Sequence, residues 1–462
     1  MGKMSFAVAV TMVLAGISAA RAALPTISNV VMSQPGGRNV LVTYDLANGP
    51  AVVTLDIETN GPNGWVSIGL ENVYAFDGAV SGDANRKVTG TSGTIHWKAR
   101  KAWPEMKIGA GGARAKLTAW PVDDTPDYMV VDLRAGENTA DRVRYYTTSN
   151  SLPGGGLLGN TAYRTTHLVL KKIIAKDITW TMGSLCEFGR NAAREKTHLV
   201  TLTNNYYLGV FPVTQKQTDL MNGAPFVISF QIDGEMRIRD VLKYGKNKPY
   251  VRGNDLYPLS PSSDSLLGKL RTMTGGGFDF DLPSEAQWEY AAKGGYGDNQ
   301  WGDGTPMLMT SADKNRDSSL PGRYRFNQET EWWKTWQDWN TNGVSQGVGN
   351  GTPIAGSYRP NAFGLYDMCG GVLEWCLDYY QEDITAYGGA VNANGETRLD
   401  GTIERGIKNG VEVDRPQRVQ RGGAWCSLAL ECRPSSRHSH EPGYGGDSQE
   451  AGFRVCCRAG LK

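Results

Sequence analysis

The chain has 462 residues, among them 58 glycines, 13 tryptophans and 20 tyrosines, and its formal net charge is +1. This length exceeds what one hydrophobic core usually serves, so two domains are expected. The balanced charge argues against nucleic acid or an anionic membrane surface as a partner, because both require clustered lysine and arginine. The glycine and aromatic content favours β structure with long ordered loops over a helical bundle.

Residues 1–22 have the pattern of a secretory signal peptide. Lys3 supplies the positive charge, Phe6 to Ile17 form the apolar run, and Ala20 and Ala22 supply a small-x-small cleavage site. A membrane span needs about 20 consecutive apolar residues, and this run is shorter. We therefore expect a secreted or periplasmic protein that does not span a membrane once the signal is removed.

Residues 23–148 predict an antiparallel β-sandwich. Short alternating runs, including Val40–Leu46, Ala51–Ile57 and Tyr128–Leu133, are each bounded by glycine, proline, asparagine or aspartate. Such runs at roughly ten-residue spacing are typical of an immunoglobulin-like or fibronectin-like sandwich. The segment contains no cysteine, so only the architecture is predicted.

Residues 149–166 are predicted to be a linker. They contain Pro153 followed by three glycines, and glycine leaves the backbone unrestrained. The second domain, residues 167–462, then begins with a strand at His167–Lys172.

Helices are expected at only two places in the second domain. One is Thr214–Met221 and the other is Ser284–Ala292, where Ser284 caps the first turn and Gln287 completes a capping box. The i, i+4 spacing puts Trp288 and Ala292 on one face of that helix.

Two long connections, Asp233–Gly277 and Gly302–Gly351, exceed ordinary loop lengths. The second carries four tryptophans, at positions 332, 333, 336 and 339. These aromatic rings are interpreted in two ways, either as a recognition surface or as a layer that covers the core.

Several distinctive motifs follow one another along the second domain. They are Trp180–Ser184, Tyr207–Gln215, Leu-Pro-Ser-Glu-Ala-Gln-Trp-Glu-Tyr-Ala-Ala-Lys-Gly-Gly at 282–295, Asn-Ala-Phe-Gly-Leu-Tyr-Asp-Met-Cys-Gly-Gly-Val-Leu-Glu-Trp at 361–375, and Arg-Gly-Gly-Ala-Trp at 421–425 followed by Gly-Phe-Arg at 452–454. Together these motifs resemble the sulfatase-modifying factor family, which contains the formylglycine-generating enzymes. The resemblance covers residues 170 to 462 and implies a C-type-lectin-like domain. The whole chain is accordingly expected to be an α+β protein with few helices.

The turn from Asp367 to Glu374 is a candidate calcium site. Two carboxylates separated by glycines that let carbonyls turn inward give the all-oxygen shell that Ca²⁺ prefers. The resemblance implies the side chains of Asp367 and Glu374 and the carbonyls of Gly370 and Val372 as ligands. The alternative is that Asp367 caps a turn and Glu374 forms a salt bridge with an arginine.

The candidate catalytic residues are Cys432 and Cys426. In catalytic members of the family, two cysteines after Arg-Gly-Gly bind Cu(I) and use O₂ to oxidise a sulfatase cysteine to formylglycine, which requires two convergent thiolates. Cys432 is in register with the second of these cysteines. Cys426 is one residue out of register with the first, whose position is taken by Ser427, and neighbouring side chains on an extended segment point to opposite faces.

Seven cysteines in an exported chain predict disulfides, with at least one cysteine left unpaired. The resemblance to non-catalytic relatives implies a bridge between Cys376 and Cys432, which would compete with copper ligation. Adjacent Cys456 and Cys457 should point in opposite directions on a strand, so at most one is expected to face the core.

Two functions follow from the sequence. The first is a copper-dependent formylglycine-generating oxidoreductase whose partner is a sulfatase. The second is a non-catalytic module that binds another exported protein or a glycan through the surface Pro434–Ala451 and the tryptophan-rich loop. The register of Cys426 favours the second function.

Overall fold

A computed structural model describes residues 23–37, 39–136, 139–225, 234–239, 261–309, 317–325, 327, 351–380, 382–387, 403–408, 411–440 and 450–459. These residues form a sheet-rich fold with 22 strands, and their α-helices are at most nine residues long. In this part of the chain no helix has the length and apolar character needed to cross a membrane. The expected sheet-rich architecture with few helices is confirmed, whereas the four tryptophans of the long loop lie outside the described residues.

The N-terminal region contains eight strands and two one-turn helices. They are β1 (Thr26–Ser33), β2 (Val40–Ala47), β3 (Ala51–Gly61), β4 (Gly64–Ser67), α1 (Leu70–Val73), β5 (Val80–Gly82), β6 (Lys87–Val88), β7 (Ser92–Trp97), α2 (Ala99–Ala102) and β8 (Ala113–Pro121). One antiparallel sheet has the order β1-β2-β7-β5, and the other has the order β4-β3-β6 with β8 also paired to β3. Side chains from both sheets share one hydrophobic cluster, with Val42 and Ile95 from the first sheet and Leu55 from the second.

The second region carries the remaining elements. They are β9 (Tyr128–Asp132), β10 (Val143–Tyr146), α3 (Gly156–Gly159), β11 (His167–Ile173), β12 (Ile178–Met182), β13 (His198–Leu202), β14 (Tyr206–Gly209), α4 (Gln215–Asn222), α5 (Leu266–Met273), β15 (Phe280–Asp281), α6 (Glu285–Lys293), β16 (Leu373–Tyr379), β17 (Ile403–Lys408), β18 (Val411–Pro416), β19 (Arg418–Arg421), β20 (Arg437–His440), β21 (Ala451–Gly452) and β22 (Cys456–Arg458). A six-stranded sheet has the order β10-β9-β11-β14-β22-β15, and a four-stranded sheet has the order β20-β19-β16-β21.

Strand β9 was expected in the sandwich, but it pairs with β11 of the second region. All five of its residues are buried: Tyr128 and Val130 join the N-terminal cluster, while Met129 and Val131 join a second cluster. A strand that is buried on both faces requires cover on both faces, and the two hydrophobic clusters provide it, one on each face of the sheet. The structure therefore differs from the predicted domain boundary at residue 148.

The predicted linker, residues 149–166, is folded rather than loose. A capping box between Thr148 and Ser151 starts a 3₁₀ turn, and Leu152 and Tyr163 are buried. The Tyr163 hydroxyl donates to the carbonyl of Pro153 at 3.0 Å. These contacts hold the glycines in one conformation, which composition alone does not indicate.

Both predicted helices are present, as α4 and α6. Ser284 and Gln287 form the predicted capping box at the start of α6, and Trp288 and Ala292 are both fully buried. Helix α5 lies within a segment that was expected to be a long connection, so that expectation was wrong for residues 266–273.

Cys456 and Cys457 on β22 point to opposite faces as expected, but both are buried. Cys456 joins the cluster that contains Trp288, and Cys457 joins the cluster that contains Phe280. The prediction that at most one faces the core was wrong because the six-stranded sheet is covered on both sides.

Candidate functional site

The turn before β16 is held by close backbone contacts. Asp367, Gly370 and Gly371 all have positive φ, at 55°, 93° and 84°. The Gly370 N–H donates to the carbonyl of Gly422 at 2.6 Å, and the Gly371 N–H donates to the carbonyl of Arg323 at 2.8 Å. A Cβ at Gly370 would lie 2.3 Å from that Arg323 oxygen, so this position requires glycine.

Glu374 lies on β16 and was predicted to bind calcium, but in the structure it is paired with Arg454. Its Oε1 lies 2.8 Å from Arg454 Nη2, and its Oε2 accepts from Arg454 Nε at 3.1 Å and from Trp288 Nε1 at 2.7 Å. All three side chains are almost completely buried. Arg454 also donates to the carbonyls of Gly209 and Val210, so the guanidinium is fixed between two parts of the fold.

Asp367 is also buried, but only one of its oxygens is used. Oδ2 accepts from the Gly356 N–H at 2.7 Å, whereas Oδ1 has no hydrogen-bond partner among the described residues. Burial raises the pKa of this carboxyl to about 6. Asp367 thus caps a turn with one oxygen and keeps the other available.

These residues do not fit the calcium ion that the sequence predicts. Asp367 offers a free oxygen, but both oxygens of Glu374 are engaged and the positive charge beside it belongs to Arg454. Gly370 and Val372, whose backbone carbonyls are the other predicted ligands, lie in the same turn. The salt bridge that was the alternative interpretation is the arrangement found.

The loop after β19 carries both candidate copper ligands. The Ser427 N–H donates to the Ala424 carbonyl at 3.0 Å, and the Ala424 N–H donates to Ser427 Oγ at 3.0 Å. A 3₁₀ turn, Ala429–Cys432, follows directly. The segment is therefore not extended, and the alternation assumed from the sequence does not apply to it.

The thiols of Cys426 and Cys432 lie in different surroundings. Cys426 is partly exposed and faces the carboxylate of Glu450, while Cys432 is completely buried beside Cys369 and Gly423. Burial is the main cause that raises the pKa of both thiols, and Glu450 raises the pKa of Cys426 further. Copper ligation needs two convergent thiolates, and the different neighbours of Cys426 and Cys432 do not favour that convergence.

The predicted disulfide between Cys376 and Cys432 is not present in the structure. All seven cysteines lie within the described residues, and each is a free thiol. After burial, Glu285 and Asp378 do most to raise the pKa of the Cys376 thiol, whereas Cys369 and Glu431 do most to raise the pKa of the Cys432 thiol. Both cysteines belong to one hydrophobic cluster, but the charged groups that act on their thiols differ.

An open cleft of about 400 Å³ lies between β12 and the end of α6. Trp180 and Tyr290 form its aromatic wall, with ring centroids 5.5 Å apart. Helix α6 ends at Lys293, Gly294 after it has φ of 59°, and the chain beyond this turn adds Tyr296 and Asp298 to the lining of the cleft. The sequence supplies the turn because two consecutive glycines follow Lys293.

Buried ion pairs hold the loop that forms one rim of this cleft. Arg433 contacts Glu187 at 2.7 Å and Glu195 at 2.8 Å. Asp298 Oδ2 accepts from the Leu185 N–H at 2.7 Å, which fixes the rim against the opposite wall. Burial raises the pKa of Glu187 to about 7, although Arg433 opposes that shift.

The sequence interpretation missed this cleft. Trp180 and Tyr290 stood inside the quoted motifs, but nothing in their spacing indicates that they meet, because 110 residues separate them. A tryptophan on an alternating strand is more often a core residue than a binding residue.

Comparison with known families identifies the second region. The family described as "Sulfatase-modifying factor enzyme 1-like domain" matches residues 172–459. This range begins within β11, contains the turn before β16, and ends after β22.

Characterised proteins with similar sequences have different functions. A formylglycine-generating enzyme of Streptomyces coelicolor is 30% identical over 39% of this chain and 47% of its own length. The serine/threonine-protein kinase Pkn1 of Chlamydia trachomatis is 32% identical over 35% of this chain and 19% of its own length, and the chaperone protein LppX of Paenibacillus barcinonensis is 24% identical over 46% and 75%. The chain thus spans less than half the length of the kinase and of the formylglycine-generating enzyme.

Solved structures with a similar arrangement include PvdO from Pseudomonas aeruginosa, with a TM-score of 0.42 and 19% identity over 63% of this chain and 94% of that chain. The Treponema denticola variable protein 1 has a TM-score of 0.40 and 20% identity over 63% and 96%.

Proposed function

Because the chain belongs to the sulfatase-modifying factor enzyme 1-like domain family over residues 172–459, we propose that it is a non-catalytic binding protein built on that family's scaffold. The observation that carries this proposal is that Cys426 and Cys432 have different neighbours. One thiol faces Glu450, and the other is buried beside Cys369. Cu(I) chemistry requires two soft ligands that converge on one ion, and two thiols with different neighbours do not favour that convergence.

The position of Ser427 supports the same proposal. It occupies the place of the first family cysteine, and its hydroxyl accepts from the Ala424 N–H within a tight turn. A serine with this structural role offers copper no sulfur ligand. The proposal also includes export to the cell exterior or periplasm, where another exported protein or a glycan would be the binding partner.

The second candidate function is copper-dependent oxidation of a sulfatase cysteine to formylglycine. It is favoured by the 30% identity to the Streptomyces coelicolor enzyme and by the register of Cys432. For this activity the loop after β19 would have to rearrange so that Cys426 leaves Glu450 and approaches Cys432.

A direct activity test separates the two functions. The reduced protein is incubated with Cu(I), oxygen and a peptide carrying a sulfatase-type cysteine motif, and the peptide is analysed for an aldehyde by mass spectrometry. We expect no conversion, while the Streptomyces coelicolor enzyme serves as the positive control. Conversion that disappears in both Cys426→Ser and Cys432→Ser would establish the oxidase instead.

A further inference from the structure

The cleft between β12 and α6 has the two kinds of surface that a sugar ring needs. Its wall is aromatic, with Trp180 beside Tyr290, and Tyr296 stands 39% exposed at the rim. A sugar has apolar C–H faces that pack on aromatic rings and hydroxyl groups that hydrogen-bond at its edges. The volume of about 400 Å³ lies within the usual range for small-molecule sites.

Polar groups without partners also line this cleft. The hydroxyls of Thr181 and Thr197 and the Oδ1 of Asp298 form no hydrogen bond with the described residues. The indole N–H of Trp180 is buried and has no partner in that part of the chain either. The free oxygens of Thr181, Thr197 and Asp298 leave hydrogen-bonding capacity for a ligand in the cleft.

The charges around the cleft favour a neutral ligand. Lys293 Nζ lies 5.6 Å from the centre of the Trp180 ring, so a positive charge already stands beside that ring and disfavours a second cation there. The same Nζ contacts Glu289 at 2.9 Å and donates to the Gly183 carbonyl at 2.7 Å, so its charge is already balanced. Asp298 would in turn repel an anion. A ligand with many hydroxyls and no charge meets all of these conditions.

We propose that this cleft binds a neutral saccharide of one or two units, stacked on the Trp180 and Tyr296 rings. The inference deepens the proposed binding function and rests on it. The hydroxyls of Thr181 and Thr197 then donate to or accept from the sugar hydroxyls, and Asp298 Oδ1 accepts from one of them. The rim at Leu185, which is 67% exposed, covers the apolar face of the ring.

Saturation-transfer NMR tests the proposal on the full chain with glucose, galactose, mannose and N-acetylglucosamine as separate probes. We expect at least one of these sugars to receive saturation from the wild-type protein and to bind about tenfold more weakly to Tyr296→Ala and Trp180→Leu. Leu185→Ala should weaken binding as well. Leu199→Ala is the matched control, because this leucine is 66% exposed on β13 and does not line the cleft.

Three results of this experiment would overturn the saccharide proposal. Failure of all four sugars to bind the wild-type protein, or binding that is unchanged in Tyr296→Ala and Trp180→Leu, overturns the proposal. Tetramethylammonium is included as a further probe, and its binding in place of a sugar would identify a cation site and likewise overturn the proposal. The activity assay reports separately on the proposed function, since aldehyde formation would reject that function whatever the sugar experiment gives.

Discussion

At the scale of single residues, arginines neutralise three of the buried carboxylates of the second region. Arg454 pairs with Glu374, Arg437 lies 2.6 Å from Glu285, and a third pair joins Arg421 to Glu289. A buried carboxylate needs a nearby positive charge, and an arginine guanidinium supplies it with two directed hydrogen bonds. At Glu374 the guanidinium takes the role that the sequence assigned to calcium.

Replacing Glu374 by glutamine should strongly destabilise the protein. Removal of one member of a buried ion pair leaves the other charge uncompensated, at a cost of about 3–5 kcal/mol. Urea unfolding at neutral pH measures the change in free energy. The control is Glu235→Gln, since Glu235 is exposed and its contact with Lys216 at 3.0 Å should contribute only about 0–1 kcal/mol.

Calcium should not change the melting temperature of the wild-type protein. Melting temperatures in calcium and in chelator are expected to agree, because Arg454 already holds Glu374. A rise in melting temperature with calcium that vanishes in Glu374→Gln would instead restore the site predicted from the sequence.

At the scale of elements, short glycine turns decide where side chains meet. The turn before β16 joins the loop after β19 through the hydrogen bond from Gly370 to Gly422, and Gly294 aims the chain after α6 toward the cleft. Gly370 and Gly294 both have positive φ, and at each of them an added Cβ would lie 2.3 Å from a backbone oxygen. The glycines therefore allow close approach as well as the turn itself.

Substituting alanine at Gly370 should cost more than the same change at Gly276. Gly276 has φ of 72° and no atom within 4 Å of an added Cβ, so the left-handed backbone alone costs about 1–2 kcal/mol there. At Gly370 the clash with the Arg323 carbonyl should add about 1–3 kcal/mol. Urea unfolding of both variants gives the difference, and equal losses would show that the turn yields without strain.

At the scale of the whole molecule, the two regions share a hydrophobic core. Val169, Val210 and Phe211 of the second region belong to the same cluster as the N-terminal strands. The segment 149–166 is packed as well, since Gln217 on α4 donates to the Tyr163 carbonyl at 3.3 Å. A shared core couples the stabilities of the two regions.

We expect the protein without residues 1–22 to unfold in one cooperative transition. Tryptophan fluorescence and far-UV circular dichroism should give coincident urea curves, as two-state behaviour requires. Leu152→Ala should lower the midpoint without splitting the curve, at a cost of about 2–5 kcal/mol for a buried leucine. Two separate transitions, or early proteolysis between residues 149 and 166, would show that this segment is a flexible linker after all.

The sequence by itself determined the local features and the family. Capping residues placed α4 and α6, alternation placed β2 and β3, and the ordered motifs identified the family of the second region. Each of these signals is carried by residues that are close together in the chain or by the order of motifs along it. None of them depends on how distant segments meet.

Only the tertiary structure decided what the key side chains contact. Glu374 and Arg454 are 80 residues apart, Trp180 and Tyr290 are 110 apart, and β9 joins a sheet with strands from the far end of the chain. The spacing of Cys426 and Cys432 likewise did not reveal that the loop between them is a turn, or that Glu450 faces one thiol. Ion pairing, thiol protonation and the shape of the cleft depend on distances between remote segments, and those distances are fixed only when the sheets pack.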